Sequence, residues 1–122
     1  MVGRAEQIRE GIDRLNAREF DADADLYSED VKFHAPGLGQ DLEGRDAMVQ
    51  TVRGFIEGAD VRYEVDEIIE HGPFVVAFTR STGTLAGERK AWDLCQVMRY
   101  DGDKVVEFWA LRGGEPQPAG TS

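Results

Sequence analysis

Cysteine is nearly absent from this chain, and that scarcity excludes a disulfide framework. The one cysteine in 122 residues, Cys95, has no partner for an internal bridge. The two histidines, His34 and His71, stand without a close Cys or His neighbour, so no metal-site spacing is present. Long apolar runs are missing as well. Nothing approaches the roughly 20 apolar residues of a membrane span, and the opening stretch, residues 1–11, lacks the apolar core of a secretory signal. A cytoplasmic protein with no membrane partner is expected. Basic residues are few: 14 Lys and Arg against 24 Asp and Glu leave a net charge of −10. That balance argues against a nucleic-acid partner, whose phosphates select basic surfaces. No G-x-S-x-G elbow, P-loop or G-x-G-x-x-G occurs, so serine-hydrolase, NTPase and dinucleotide-binding chemistry fail at the motif stage and no cofactor is expected.

What is present suits one soluble domain. Hydrophobic residues make up 41% and charged residues 31%, an ordinary balance for a chain long enough for a single core. We read one domain over residues 1–112 and a flexible tail over residues 113–122, where Gly, Pro and small polar residues dominate. The acids are spread and read as a solvated surface. The run from Asp21 to Asp25 lacks the Gly and the distal Glu of an EF-hand loop.

Helices come first and strands later. Ile8, Ile12 and Leu15 recur at helical spacing and predict an amphipathic helix from about Gly3 to Arg18. Asp21 can cap a short second helix through Leu26 and Tyr27. Val31 to Ala35 alternates and stops at Pro36-Gly37, a first short strand and turn. Gly44 and Asp46 open a third helix with Met48, Val52, Phe55 and Ile56 as its apolar stripe, closed by Gly58. From Val61 the period becomes two, with Val61, Tyr63 and Val65 facing one way. His71-Gly72-Pro73 and Leu85 to Glu88 are turns, and Asp101-Gly102-Asp103 between two apolar-rich runs is a strong hairpin signal. The order predicts an α+β domain: three N-terminal helices covering one face of a curved, mainly antiparallel sheet. One acid, Asp93, sits mid-strand. Aspartate is rare there unless it is wet or in a site.

The element order resembles the nuclear transport factor 2-like superfamily, with the stretch from Leu15 to Gly37, the segment from Gly44 to Met48, and the closing run from Tyr100 to Leu111 carrying the likeness. Within it the chain is most similar to SnoaL-like cyclases, ketosteroid isomerases and limonene-epoxide-hydrolase-like proteins. The resemblance implies a cone whose mouth admits a small, mostly apolar molecule, and a homodimer packed through the sheet's outer face. It also exposes departures. The isomerase's tyrosine, general-base aspartate and oxyanion-hole aspartate fall at Gly11, Ala35 and Cys95. The last-strand acid of the cyclases and epoxide hydrolases falls at Ala110, and the hydrolase's Arg-x-Asp at Arg80-Ser81-Thr82 keeps only the arginine.

A different constellation follows from strand periodicity. Asp93 is two residues from Cys95 and so shares its face, the pocket face if the resemblance holds. Folding the hairpin about Ala86-Gly87 sets Arg80 opposite Asp93, which predicts an ion pair in the pocket or at its rim. The bland alternative is a half-exposed salt bridge worth about 0–1 kcal/mol. His34 is the third catalytic candidate, since a neutral imidazole can relay protons near neutral pH; alternation with Ala35 turns it away unless a kink at Pro36 intervenes. The expected pocket lining comprises Phe78, Cys95, Phe108, Phe55 and Tyr63, with Trp109 and Leu111 on an apolar outer face suited to the dimer. Pattern alone also permits the opposite assignment, in which the tryptophans face the helices and Asp93 becomes a surface acid.

Two functions fit. One is a cofactor-independent isomerase, cyclase or epoxide-opening enzyme on a hydrophobic substrate, with Asp93 as acid or base and Arg80 orienting it. The other is a non-catalytic ligand-binding or dimerisation module that kept the cone and lost the acids.

Overall fold

The computed structural model describes residues 3–22 and 24–119. Asp23 of the acidic run, Met1, Val2 and residues 120–122 lie outside them. Helix α1 spans Arg4–Asn16 and α2 spans Arg45–Ala59. The strands are β1 (Tyr27–Ala35), β2 (Gln40–Glu43), β3 (Arg62–His71), β4 (Phe74–Leu85), β5 (Glu88–Asp101), β6 (Lys104–Arg112) and β7 (Gln117–Pro118). They form one sheet in the order β2-β1-β6-β5-β4-β3, with β7 joining β5. The β1–β6 pair is parallel and the other pairs are antiparallel. Among the described residues no helix is long and apolar enough to cross a membrane.

Periodicity explains the layering. Ile8 and Ile12 of α1 and Met48 of α2 are buried against Val31, Phe33, Val75, Ala77 and Met98, so both helices cover the same sheet face. A second cluster, Ile56, Ala59, Val61 and Trp92, anchors the end of α2. Asn16 ties the two layers together. Its side chain accepts from the Tyr63 backbone N–H and donates to the Tyr63 carbonyl, each at 2.8 Å.

The expectation of three helices is corrected to two. The segment between α1 and β1 forms only a 3₁₀ turn, Ala24–Leu26. Between Asn16 and Tyr27 only Phe20 and Leu26 are large and apolar, too little for a buried stripe and too short a stretch for a helix to propagate.

Two features were not read from the sequence. Strand β2 pairs with β1 after a 3₁₀ turn at Pro36–Leu38. The C-terminal segment, expected to be flexible, carries β7. Strand β5 outruns β6 at residues 90–91, and the tail covers that open edge by pairing Gln117 with Ala91 and Pro118 with Lys90.

The β5–β6 hairpin holds the decisive irregularity. Gly102, at φ 62°, turns the chain. Tyr100 then pairs with Val105 but Arg99 pairs with Glu107, leaving Val106 as a one-residue bulge. A regular ladder would set Phe108 opposite Val97. The bulge sets it opposite Met98. From there on, every β6 side chain shares a face with the opposite half of β5.

Candidate functional site

A cavity of about 250 Å³ lies between the concave sheet face and the helices. Phe33 and Ala35 of β1, Trp92 and Leu94 of β5, and Phe108 and Ala110 of β6 form its sheet side. Leu15, Val52 and Phe55 close it from the helices, while Gly37, Leu38, Leu85 and Pro116 surround its end. For scale, an apolar void of about 150 Å³ accepts benzene, so this one suits a ligand on the order of two fused rings.

The polar groups on its wall are Tyr63, Gln96 and Arg112. Among the described residues no Asp, Glu, His, Lys or Cys lines it. Burial pushes the Tyr63 phenol well above its ordinary range, against a smaller opposing effect of the Arg18 charge, so the hydroxyl is a neutral hydrogen-bonding group near pH 7. Arg18 itself is held by the Val61 carbonyl at 2.6 Å and the Asp60 carboxylate at 2.7 Å. Arg112 reaches Glu115 at 3.7 Å.

Three expected lining residues, Phe55, Tyr63 and Phe108, do line the cavity. Phe78 and Cys95 do not. They pair with each other across β4 and β5 on the convex face, where Phe78 is 41% exposed. Burial raises the Cys95 thiol, which makes it a poor nucleophile.

Arg80 and Asp93 are directly paired in register and form the expected ion pair, Nη1 to Oδ1 at 3.7 Å. The pair lies outside the pocket, with side chains 53% and 69% exposed. Pocket placement is therefore corrected: Trp92, Leu94 and Gln96 take the concave face of β5, and strand alternation turns Asp93 and Cys95 to the other. The Val106 bulge brings Phe108 and Ala110 to the concave face beside them. The two tryptophans consequently face opposite ways. Sequence reasoning missed Trp92, Leu94 and Gln96 on β5 and Arg112 on β6 among others, and the signal for the β5 face was the bulk of Trp92, Leu94 and Met98 at alternate positions.

His34 also faces away from the cavity, as alternation with Ala35 requires. Its Nε2 is 2.7 Å from Glu107 Oε2 and its Nδ1 is 2.5 Å from Asp41 Oδ1, while Arg99 donates to Glu107 Oε1 at 3.1 Å. The ring stacks on Trp109 at 5.5 Å. The Glu107 hydrogen bond, helped by Asp41, raises the His34 pKa above 6.5 against desolvation, and the His34 hydrogen bond, helped by Arg99, lowers that of Glu107 below 4.5. A raised histidine pKa contributes stability fully present below pH 6.5 and lost as pH rises through the folded value. A lowered glutamate pKa contributes stability present above pH 4.5 and lost as pH falls through its folded value. H34Q should therefore lower stability most at about pH 5.5, by about 1–2 kcal/mol, and much less at about pH 9. Thermal melts of both proteins across pH check this; a difference that is constant with pH would contradict it. Among the described residues no group of three His, Cys, Asp or Glu side chains is placed to hold a metal ion.

An α+β sheet cupped around an apolar cavity is the nuclear transport factor 2-like architecture. The chain belongs to the SnoaL-like domain family, whose model matches residues 8–108. No curated protein matches it in sequence. Among solved structures it is similar to an NTF2-like protein of unknown function from Burkholderia pseudomallei, at 21% identity over 92% of both chains with a TM-score of 0.80. An LEH-like epoxide hydrolase of M. tuberculosis matches at 16% identity, covering 88% of this chain and 80% of that one, with a TM-score of 0.70. TerC, co-crystallised with polyporic acid, matches at 19% identity, covering 86% and 87%, with a TM-score of 0.74. At these identities the likeness extends to the fold.

Proposed function

We propose that this chain is a homodimeric binding protein for a hydrophobic small molecule, and that it works without acid–base catalysis by Asp93, Arg80 or His34. The observation that carries this is the wall of the cavity: apolar except for two neutral polar groups and one guanidinium, with all three candidate catalytic residues on the far side of the sheet. Isomerisation, cyclisation or epoxide opening by general acid–base transfer requires a titrating group within hydrogen-bond reach of the substrate. That TerC, of the same fold, was co-crystallised with an organic acid supports an organic ligand here. Titration with the neutral fluorophore prodan tests the reading. Saturable binding is expected in the wild type, with D93N within about twofold of it, because a half-exposed ion pair is worth about 0–1 kcal/mol. Loss of binding in D93N, or no binding to the wild type, would refute the proposal.

The dimer is supported by the convex sheet face. Two adjacent rows run across it, Ile69–Val76–Val97–Trp109 and Phe78–Cys95–Leu111. Ile69, Phe78 and Leu111 are exposed, and charged side chains on Arg80, Asp93, Arg99 and Glu107 flank the rows. The wild type should sediment at twice its 13.6 kDa protomer mass and F78D at the protomer mass. A monomeric wild type, or an unaltered F78D dimer, would remove this part of the proposal.

A further inference from the structure

A glutamine on the cavity wall whose amide has no protein partner among the described residues is the feature that simple apolar binding leaves unexplained. Gln96 is 5% exposed in mid-β5, on the concave face beside Phe108 and opposite Ala110. Buried polar side chains are nearly always hydrogen-bonded, because an unmet donor or acceptor is costly. Thr79, on the same face, follows that rule by donating to the Leu94 carbonyl at 2.9 Å. No hydrogen bond joins the Gln96 amide to another described residue, and its polar atoms are not sealed off as those of Ser28 and Ser81 are, so they open onto the cavity. The buried Ser28 and Ser81 hydroxyls are unpartnered too, but they line neither cavity.

Gln96 lines both. It forms part of the wall of the 250 Å³ cavity and of a second one of about 60 Å³ bordered by Ile12, Met48 and Met98. Leu15 and Val52 are shared in the same way. The amide thus stands in the partition between the two, at the end of the main cavity away from Leu38 and Pro116.

We infer that Gln96 sets ligand specificity by hydrogen-bonding a neutral carbonyl or hydroxyl at the buried end of an otherwise apolar ligand. The inference rests on the binding function proposed above and names the class of ligand. An amide supplies a donor and an acceptor but no charge, so it satisfies a ketone, amide or hydroxyl. An ionised group there would be desolvated without a counter-charge, a far larger cost. An acidic end of the ligand therefore lies toward Arg112, the cation on the wall.

The test uses two neutral probes of one shape, acetylnaphthalene and isopropenylnaphthalene substituted at the same ring carbon, titrated into the full chain, Q96L and Q96M. The wild type is expected to prefer the ketone. In Q96L the ketone should weaken about tenfold relative to the hydrocarbon, the loss of one buried hydrogen bond together with an unmet carbonyl. Q96M should shift the ratio the same way, and decides the matter if Q96L does not fold. A ketone-to-hydrocarbon ratio unchanged in the folded variants, with the wild type still binding both probes, overturns the role of Gln96 and leaves the binding function standing. Failure of the wild type to bind either probe overturns both.

Discussion

Substituting Ala110 by Phe is expected to abolish ligand binding, with a loss of about a hundredfold or more, while the protein stays folded. Ala110 is on β6, opposite Gln96, and its methyl group faces the cavity. A benzene-sized void is about 150 Å³, so a phenyl ring projecting from this position takes roughly half or more of the space a ligand would use. The ring fills a cavity rather than a packed core, so strain should stay within about 1–3 kcal/mol. Its neighbour is the control. Leu111 faces the convex side and is 38% exposed, so L111A should bind within about twofold of the wild type. Parallel titrations read both outcomes. Equal losses at the two adjacent positions would mean that the face assignment is wrong.

Phe33→Ala should be the most destabilising single truncation near the site. Phe33 is 2% exposed, pairs with Phe108 in β6, and meets its ring edge-on at 5.4 Å. Removing it forfeits the aromatic pair and joins new void to an existing cavity, so little collapse can compensate. The expected cost is about 3–5 kcal/mol, against a total stability on the order of 5–15 kcal/mol for a domain of this kind. Urea unfolding should show a lower midpoint at a similar slope. A cost under about 1 kcal/mol would mean that Phe33 belongs to a yielding wall and not to the core.

Most of the fold was legible because its signals are local. The stripe Ile8, Ile12, Leu15 gave α1, the stripe from Met48 to Ile56 gave α2, and the turns at Gly72, Gly87 and Gly102 gave the three hairpins. The facing of β6 relative to β5 was not legible, because it depends on one residue. Val106 as a bulge moves Phe108 from the side of Val97 to that of Met98, and no local pattern in the run from Lys104 to Leu111 marks it. Asp93, Arg80 and Cys95 were expected in the pocket because the family's oxyanion-hole position falls at Cys95, and the continuous β4–β5 ladder carries all three together to the outer face. Gln96 escaped notice for a related reason: a polar residue in an alternating strand reads as wet until its neighbours' faces are known. Strand β7 was hidden by composition, since Gly, Pro and small polar residues suit a loose tail and an edge strap equally.

The most direct test of the binding cavity uses the two tryptophans, which the structure places on opposite faces. In W109F, Trp92 is the sole tryptophan and lines the cavity. Titrating this variant with acetylnaphthalene should quench or shift Trp92 emission saturably, with one ligand per chain. An unmoved Trp92 spectrum, or a saturable change seen only when Trp109 is present, would place the ligand elsewhere and contradict the account.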